Sequence, residues 1–156
     1  MADCQSRSSQ MNLAVASYEL AARISAQAKL PKLESVAAVN EAAIQAKNGK
    51  VDEALELYQH ALQLDGSTAD NEASAADLLS YGRFLDDEGF PPKLAYACMV
   101  KSANAARSLS KPGPADGSSE IESQIEKKIE KRLGPEAAAI RRDPEPAVQQ
   151  ALTFRR

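Results

Sequence analysis

Apolar residues recur at helical spacing along almost the whole chain, and the breaks between these runs fall at Pro, Gly, Asn-Gly and Asp-Gly. From Ser9 to Leu30 two adjoining stripes, Leu13, Ser17, Leu20, Ile24 and Met11, Val15, Tyr18, Ala22, predict one helix with a broad buried face. Pro31 interrupts it. Leu33, Val36, Ala37, Asn40 and Ile44 form a second stripe that ends at Asn48-Gly49, a left-handed stop. A third helix, capped by Asp52, carries Leu55, Tyr58 and Leu62 with small Ala54 and Ala61 between them, and Asp65-Gly66 ends it.

A fourth helix opens near Asp70, carries Leu78, Leu79, Tyr81, Phe84 and Leu85, and stops at Glu88-Gly89. Pro91-Pro92 start a fifth, because proline lacks only an amide that has no partner in the first turn. Its stripe is Leu94, Ala95, Cys98, Met99, Ala103 and Ala106. Residues 110–119 contain every common turn former and no periodicity, which reads as a linker. Ser119 and Glu122 then form a capping box ahead of the stripe Ile121, Ile125, Ile129, Leu133, which Gly134-Pro135 terminates. A short run from Glu136 to Arg142 follows, and Asp143-Pro144 caps a last helix reaching Phe154.

Composition narrows the class. In 156 residues 44% are hydrophobic and 26% charged, as in ordinary globular chains, but aromatics are only 4%, Trp is missing and Ala dominates the apolar set. Such a core calls for close-packed helices instead of a β-sandwich. The net charge of −3, with no basic cluster interleaved with aromatics, argues against nucleic acid. From Val51 to Phe90 ten acidic residues face a single Arg or Lys, Arg83, and this acidic stretch reads as a solvated helix surface. Cys4 and Cys98 lie too far apart in sequence and setting for a structural disulfide to be expected. Cys98 reads as a small core residue and Cys4 as exposed.

Between Ala42 and Gly66 the pattern resembles a tetratricopeptide repeat. A small residue, Ala42, stands in the first helix; Gly49 makes the turn; Ala54, Tyr58 and Ala61 pack back from the second helix; Leu62-x-Leu64-Asp65 is similar to the exit of the repeat, with Gly66 where that family usually has proline. A looser second copy uses Gly82 as the small residue, Gly89 as the turn, and Ala95 and Met99 in the second helix. Ala42 to Gly49 and Gly82 to Gly89 are both seven residues, and the 40-residue offset between copies requires an insertion near Ser67 to Glu72.

The resemblance spans Glu34 to Leu109. It implies an all-α fold: a right-handed stack of about two antiparallel hairpins, flanked by capping helices. The domain reading is a flexible tail over 1–9, hairpins over 10–109, a linker over 110–119 and capping helices over 120–156.

The same resemblance implies a groove for a peptide or helix of another protein, lined by Val39, Ala43, Ala46 and Lys47 from one first helix and Leu79, Arg83, Asp86 and Asp87 from the other. Peptide-binding members of the family grip a C-terminal carboxylate with Lys, Asn and Arg. Here Val39, Ala43 and Leu79 replace such residues, so carboxylate-tail recognition is not expected.

Chemistry finds little support. His60 is the only histidine and falls on a solvent side of its helix; Asp52-Glu53 and Asp86-Asp87 are adjacent and point apart on a helix. Nothing has metal-ligand spacing or the form of a phosphate loop, so no enzyme, cofactor or metal is expected. The alternative to an adaptor or scaffold is a self-associating structural protein, a homodimer through the Ile121–Leu133 helix. The four-residue recurrence of that stripe drifts around the helix and excludes a long coiled coil.

No stretch approaches the length of a membrane span, and the N-terminus has no apolar signal core, so the chain as written is expected in the cytoplasm. Cys4 followed by a polar run also resembles the start of a mature lipoprotein. A trimmed form would then be periplasmic or lipid-anchored.

Overall fold

A computed structural model describes residues 2–66, 71–109, 124 and 127–155. Among them there are helices and no strand: α1 (Ala2–Gln27), α2 (Pro31–Lys47), α3 (Val51–Gly66), α4 (Asn71–Asp87), α5 (Pro92–Leu109), α6 (127–133), α7 (Glu136–Arg142) and α8 (Glu145–Thr153). The all-α expectation holds, and helices pair as hairpins. The chain divides into two compact units, Met1–Asp70 and Asn71–Arg155, so the division falls between the two hairpins read from the sequence.

In the first unit α2 packs against both α1 and α3. A helix flanked on two sides needs small residues where its neighbours approach, and α2 buries Ser35, Ala37, Ala38, Glu41, Ala42 and Gln45. The expected stripe is therefore partly corrected. Ala37 is buried and Ile44 half-buried, but Leu33, Val36 and Asn40 face outward. α3 follows its stripe closely, with Ala54, Leu55, Tyr58, Ala61 and Leu62 all buried.

α1 begins at Ala2, so the residues read as a tail form its first turns. Only one of its two stripes is covered. Met11, Val15, Tyr18 and Ala22 are half-buried and Ser25 is buried, whereas Leu13, Leu20 and Ile24 are 67%, 49% and 57% exposed. The reason is geometric: an offset of two residues turns a helix by about 200°, so the stripes lie on opposite sides and α2 covers one.

Helix ends in this unit repeat one device. At Gly49, φ 77°, the Lys50 amide donates to the Gln45 carbonyl at 2.9 Å and the Gly49 amide to Ala46 at 2.9 Å. The end of α1 makes the same bonds, Leu30 to Ser25 at 2.9 Å and Lys29 to Ala26 at 3.1 Å, but with Lys29 at φ 57°. A side chain there meets a steric cost that glycine avoids. Lys29→Gly is accordingly expected to stabilise the protein by about 0.5–1 kcal/mol, seen as a rise of a few degrees in thermal midpoint. Asp52 does not cap α3. The helix starts at Val51, and the amide of Ala54 bonds the Lys50 carbonyl at 3.0 Å.

Glu41 carries the main electrostatic tension of this unit. The residue is 7% exposed, and burial, then the carboxylates of Glu19 and Glu53, raise its pKa above the usual 4.5. A raised pKa in the folded state means stability is lost as pH climbs through that value. Glu41→Gln should therefore raise the thermal midpoint at neutral pH. The gain should vanish as the pH falls below 4.5, where both side chains are neutral. A pH series of melts on both proteins checks it.

In the second unit α5 is the central helix. Leu94 through Val100 are buried without interruption, because α4 covers one side and α7 and α8 cover others. Tyr81 of α4, wholly buried, donates its hydroxyl to the Ala151 carbonyl of α8 at 2.7 Å. Ser102 of α5 donates to the Ala75 carbonyl of α4 at 2.6 Å. Phe90 lies 5.7 Å from Phe84 and edge-on to Phe154 at 5.6 Å, which ties the turn after α4 to the end of α8. Lys101 and Glu145 pair at 2.8 Å, and that pairing with the Gln149 amide lowers the Glu145 pKa.

The last helices follow the reading closely. Gly134 takes φ 58° after α6, and Asp143, in extended backbone, accepts the Glu145 amide at 3.3 Å as α8 begins. The linker 110–119, the capping pair Ser119 and Glu122, Ile121, Ile125 and Asp70 lie outside the described residues.

Candidate partner-binding surfaces

The residues that carry the repeat pattern fall at buried or turn positions in both hairpins. Ala42, Ala54, Ala61 and Ala95 are completely buried, Tyr58 and Met99 nearly so. Gly89, φ 72°, ends α4 as Gly49 ends α2: the Phe90 amide bonds the Leu85 carbonyl at 2.9 Å and the Gly89 amide bonds Asp86 at 3.2 Å. Gly82 marks the closest approach of α4 to α5. A β-carbon there would sit 2.9 Å from Met99 Cγ, 3.1 Å from the Ala95 carbonyl oxygen and 3.3 Å from Cys98 Cβ.

Of the groove residues read from the sequence, α2 presents Val39, Ala43 and Ala46 half-buried and Lys47 exposed. On α4, Leu79, Arg83 and Asp86 are half-buried and Asp87 is exposed. Asp86 is engaged inside its own unit, where it accepts from Arg132 of α6 at 2.7 Å with its side chain 11% exposed. A charge change at Asp86 would therefore disturb the docking of α6 as well as any surface. Lys47 and Asp87 are the better probes.

The described part of the terminal stripe turns inward. Ile129 is completely buried and Leu133 half-buried, while Glu130 pairs with Arg141 at 2.9 Å. Glu122 and Glu126 lie outside the described residues.

His60 is exposed as expected, and its Nε2 hydrogen-bonds Glu34 Oε1 at 3.0 Å, linking α3 to α2. Among the described residues no group of three or more His, Cys, Asp and Glu could hold a metal ion, and no helix is long and apolar enough to cross a membrane. A depression of about 240 Å³ is lined by Val100, Ala103, Asn104, Arg107 and Arg141. Its guanidinium groups already donate to Asn104 at 3.0 Å and Glu130 at 2.9 Å.

Cys98 is buried, as expected, and desolvation pushes its thiol pKa up to about 12. A neutral buried thiol is a poor nucleophile. Cys98 should resist a thiol-specific disulfide reagent at pH 8 in the native protein and react once denaturant is added. Rapid native labelling of Cys98, located by peptide mapping, would contradict this packing.

No family model, curated protein or solved structure matches this chain.

Sequence reading missed the outward stripe Leu13, Leu20, Ile24 as a surface. The signal was present in the two-residue offset between the stripes of α1, since a helix apolar on opposite sides asks for a neighbour on each.

Proposed function

We propose that the chain is a protein-interaction module, an adaptor or scaffold, in which the first helix of each hairpin offers a tetratricopeptide-like surface to a peptide or helix of a partner protein. The observation that supports the reading most directly is the doubled hairpin. Gly49 and Gly89 close α2 and α4 with the same pair of backbone hydrogen bonds, and each follows a wholly buried or close-contact small residue, Ala42 or Gly82, by the same seven positions. Tetratricopeptide-specific right-handed stacking belongs to this proposal.

On α2 the contact residues are Val39, Ala43, Ala46 and Lys47, and on α4 Leu79, Arg83, Asp86 and Asp87. Each surface takes its own segment: on α2 apolar side chains at Val39 and Ala43 with an acidic group at Lys47, and on α4 an apolar side chain at Leu79 with a basic group at Asp87. Neither needs a terminal carboxylate.

The test selects peptides from a displayed random library against the intact chain and measures their affinity by fluorescence polarisation. Lys47→Glu combined with Asp87→Lys should weaken the selected peptides about ten-fold or more, since exposed charges contribute little to folding but govern electrostatic fit. The melting curve should stay unchanged. Failure to select any peptide, or equal affinity for the double variant, would remove the reading.

A further inference from the structure

We infer that Asn48 is a site of spontaneous modification, converted to aspartate and isoaspartate when the turn between α2 and α3 opens and held as asparagine while that turn is closed. This goes beyond the peptide surface of α2 and α4 and does not depend on it.

The chemistry is intramolecular. The backbone nitrogen of the residue after an asparagine loses its proton to hydroxide and attacks the side-chain Cγ; the N–Cγ bond closes a five-membered imide, the Cγ–Nδ2 bond breaks and ammonia leaves. Water then opens the imide at either carbonyl, which gives aspartate or a main chain that runs through the β-carboxyl. A side chain on the following residue obstructs the attack. Asn48 alone among the asparagines is followed by glycine, whereas Asn12, Asn40, Asn71 and Asn104 precede Leu, Glu, Glu and Ala. Access is open as well: Asn48, Gly49 and Lys50 are exposed, and nothing lies within 4 Å of where a β-carbon on Gly49 would stand.

The closed turn blocks the step in two ways. Asn48 has ψ 0°, which eclipses the Gly49 nitrogen with the nitrogen of Asn48, while ring closure needs it eclipsed with Cβ. The Gly49 amide also donates to the Ala46 carbonyl at 2.9 Å, so the proton that has to leave is held. Rotation about the Cα–C bond of Asn48 breaks this bond and the one from Lys50 to Gln45, also 2.9 Å, so reaction requires the turn to open. An exposed helix end opens at a far lower free energy than the buried core.

The product does not restore the turn. Aspartate at position 48 places a negative charge at the C-terminal end of α2, where the helix dipole is itself negative. Isoaspartate goes further, because one extra main-chain carbon separates the carbonyls of Gln45 and Ala46 from the amides of Gly49 and Lys50 and puts both donors out of register. Loss of ammonia makes the change one-way.

The experiment incubates the full chain in mildly alkaline buffer, both native and unfolded in guanidinium chloride, and follows Asn48 by peptide mapping and mass spectrometry. Conversion is expected in both samples, slower in the native one by between about ten- and one-hundred-fold, since only the opened turn reacts. Asn12, Asn40 and Asn104 should stay amides in the native sample. The native isoaspartate fraction, separated by its added charge, should melt below Asn48→Asp, which carries the charge without the extra carbon. Equal rates in the two samples, or a native Asn48 still intact after about one hundred unfolded half-lives, would overturn the proposal. So would native conversion of Asn12, Asn40 or Asn104 as fast as that of Asn48, or an isoaspartate fraction that melts with Asn48→Asp.

Discussion

Gly82→Val is expected to destabilise the second unit by more than about 3 kcal/mol, enough to lower its thermal midpoint by more than about 10 °C. Glycine in a helix interior costs roughly 1 kcal/mol relative to alanine, so its presence in α4 has to be offset by something. The offset is contact. A β-carbon at this position would meet Met99 Cγ at 2.9 Å and the Ala95 carbonyl oxygen at 3.1 Å. Met99 is 2% exposed and has little room to give, and the oxygen belongs to the backbone of the central helix.

Gly82→Ala sets the propensity gain against that clash and should fall between native and valine. Gly66, the last residue of α3, has nothing within 4 Å of the corresponding point, so Gly66→Ala should leave stability unchanged or slightly raised. Thermal melts of the three variants test the ordering. A Gly82→Val protein that melts with the native one would mean that α4 and α5 do not approach as described.

Ala54→Trp is expected to do comparable damage in the first unit. Ala54 is completely buried on α3, in the helix that packs on α2, and Ala61, two turns on, is buried to the same degree. An indole there must either push α3 from α2, exposing Leu55, Tyr58 and Leu62, or force neighbours from their rotamers. Overpacking of this kind costs about 1–3 kcal/mol or more, and a unit this small has little reserve. The expected sign is a midpoint lower by more than about 10 °C with reduced native helicity. Ala106→Trp, on an exposed position of α5, is the control and should be nearly silent. An unchanged midpoint for Ala54→Trp would contradict the hairpin packing of α2 and α3.

Several parts of the molecule were legible because they are local. Gly49, Gly89 and Gly134 all adopt positive φ where a helix had to stop. Pro92 opens α5, Asp143 accepts the amide that begins α8, and Cys98 is buried within an unbroken apolar run. Each depends on the chemistry of one or two residues: a missing β-carbon, a missing amide hydrogen, a short carboxylate side chain. The candidate surface was less legible. Lys47 and Asp87 are exposed on α2 and α4, but Asp86 is held by Arg132 from 46 residues away, a pairing that no periodicity announces.

The sequence by itself determined that the chain is helical, where most helices end, and which small residues, Ala42, Ala54, Ala61 and Gly82, lie in close contacts. Helicity and helix ends are consequences of backbone sterics, which act within a few residues; the small residues were picked out by the repeat pattern, because only a small side chain lets a neighbouring helix approach. Only the tertiary structure decided which of two equally apolar faces is covered. The stripes Met11–Ala22 and Leu13–Ile24 have the same periodicity and similar hydrophobicity, yet α2 packs on the first and leaves the second outside. Likewise α2 turns Leu33 and Val36 outward and buries Glu41 and Gln45, because a helix flanked by neighbours on two sides is selected for smallness at its contacts before apolarity. The bond from Tyr81 to Ala151, 70 residues apart, belongs to the same class: the hydrophobic effect specifies that a side chain is buried, and only the packing of distant helices specifies against what.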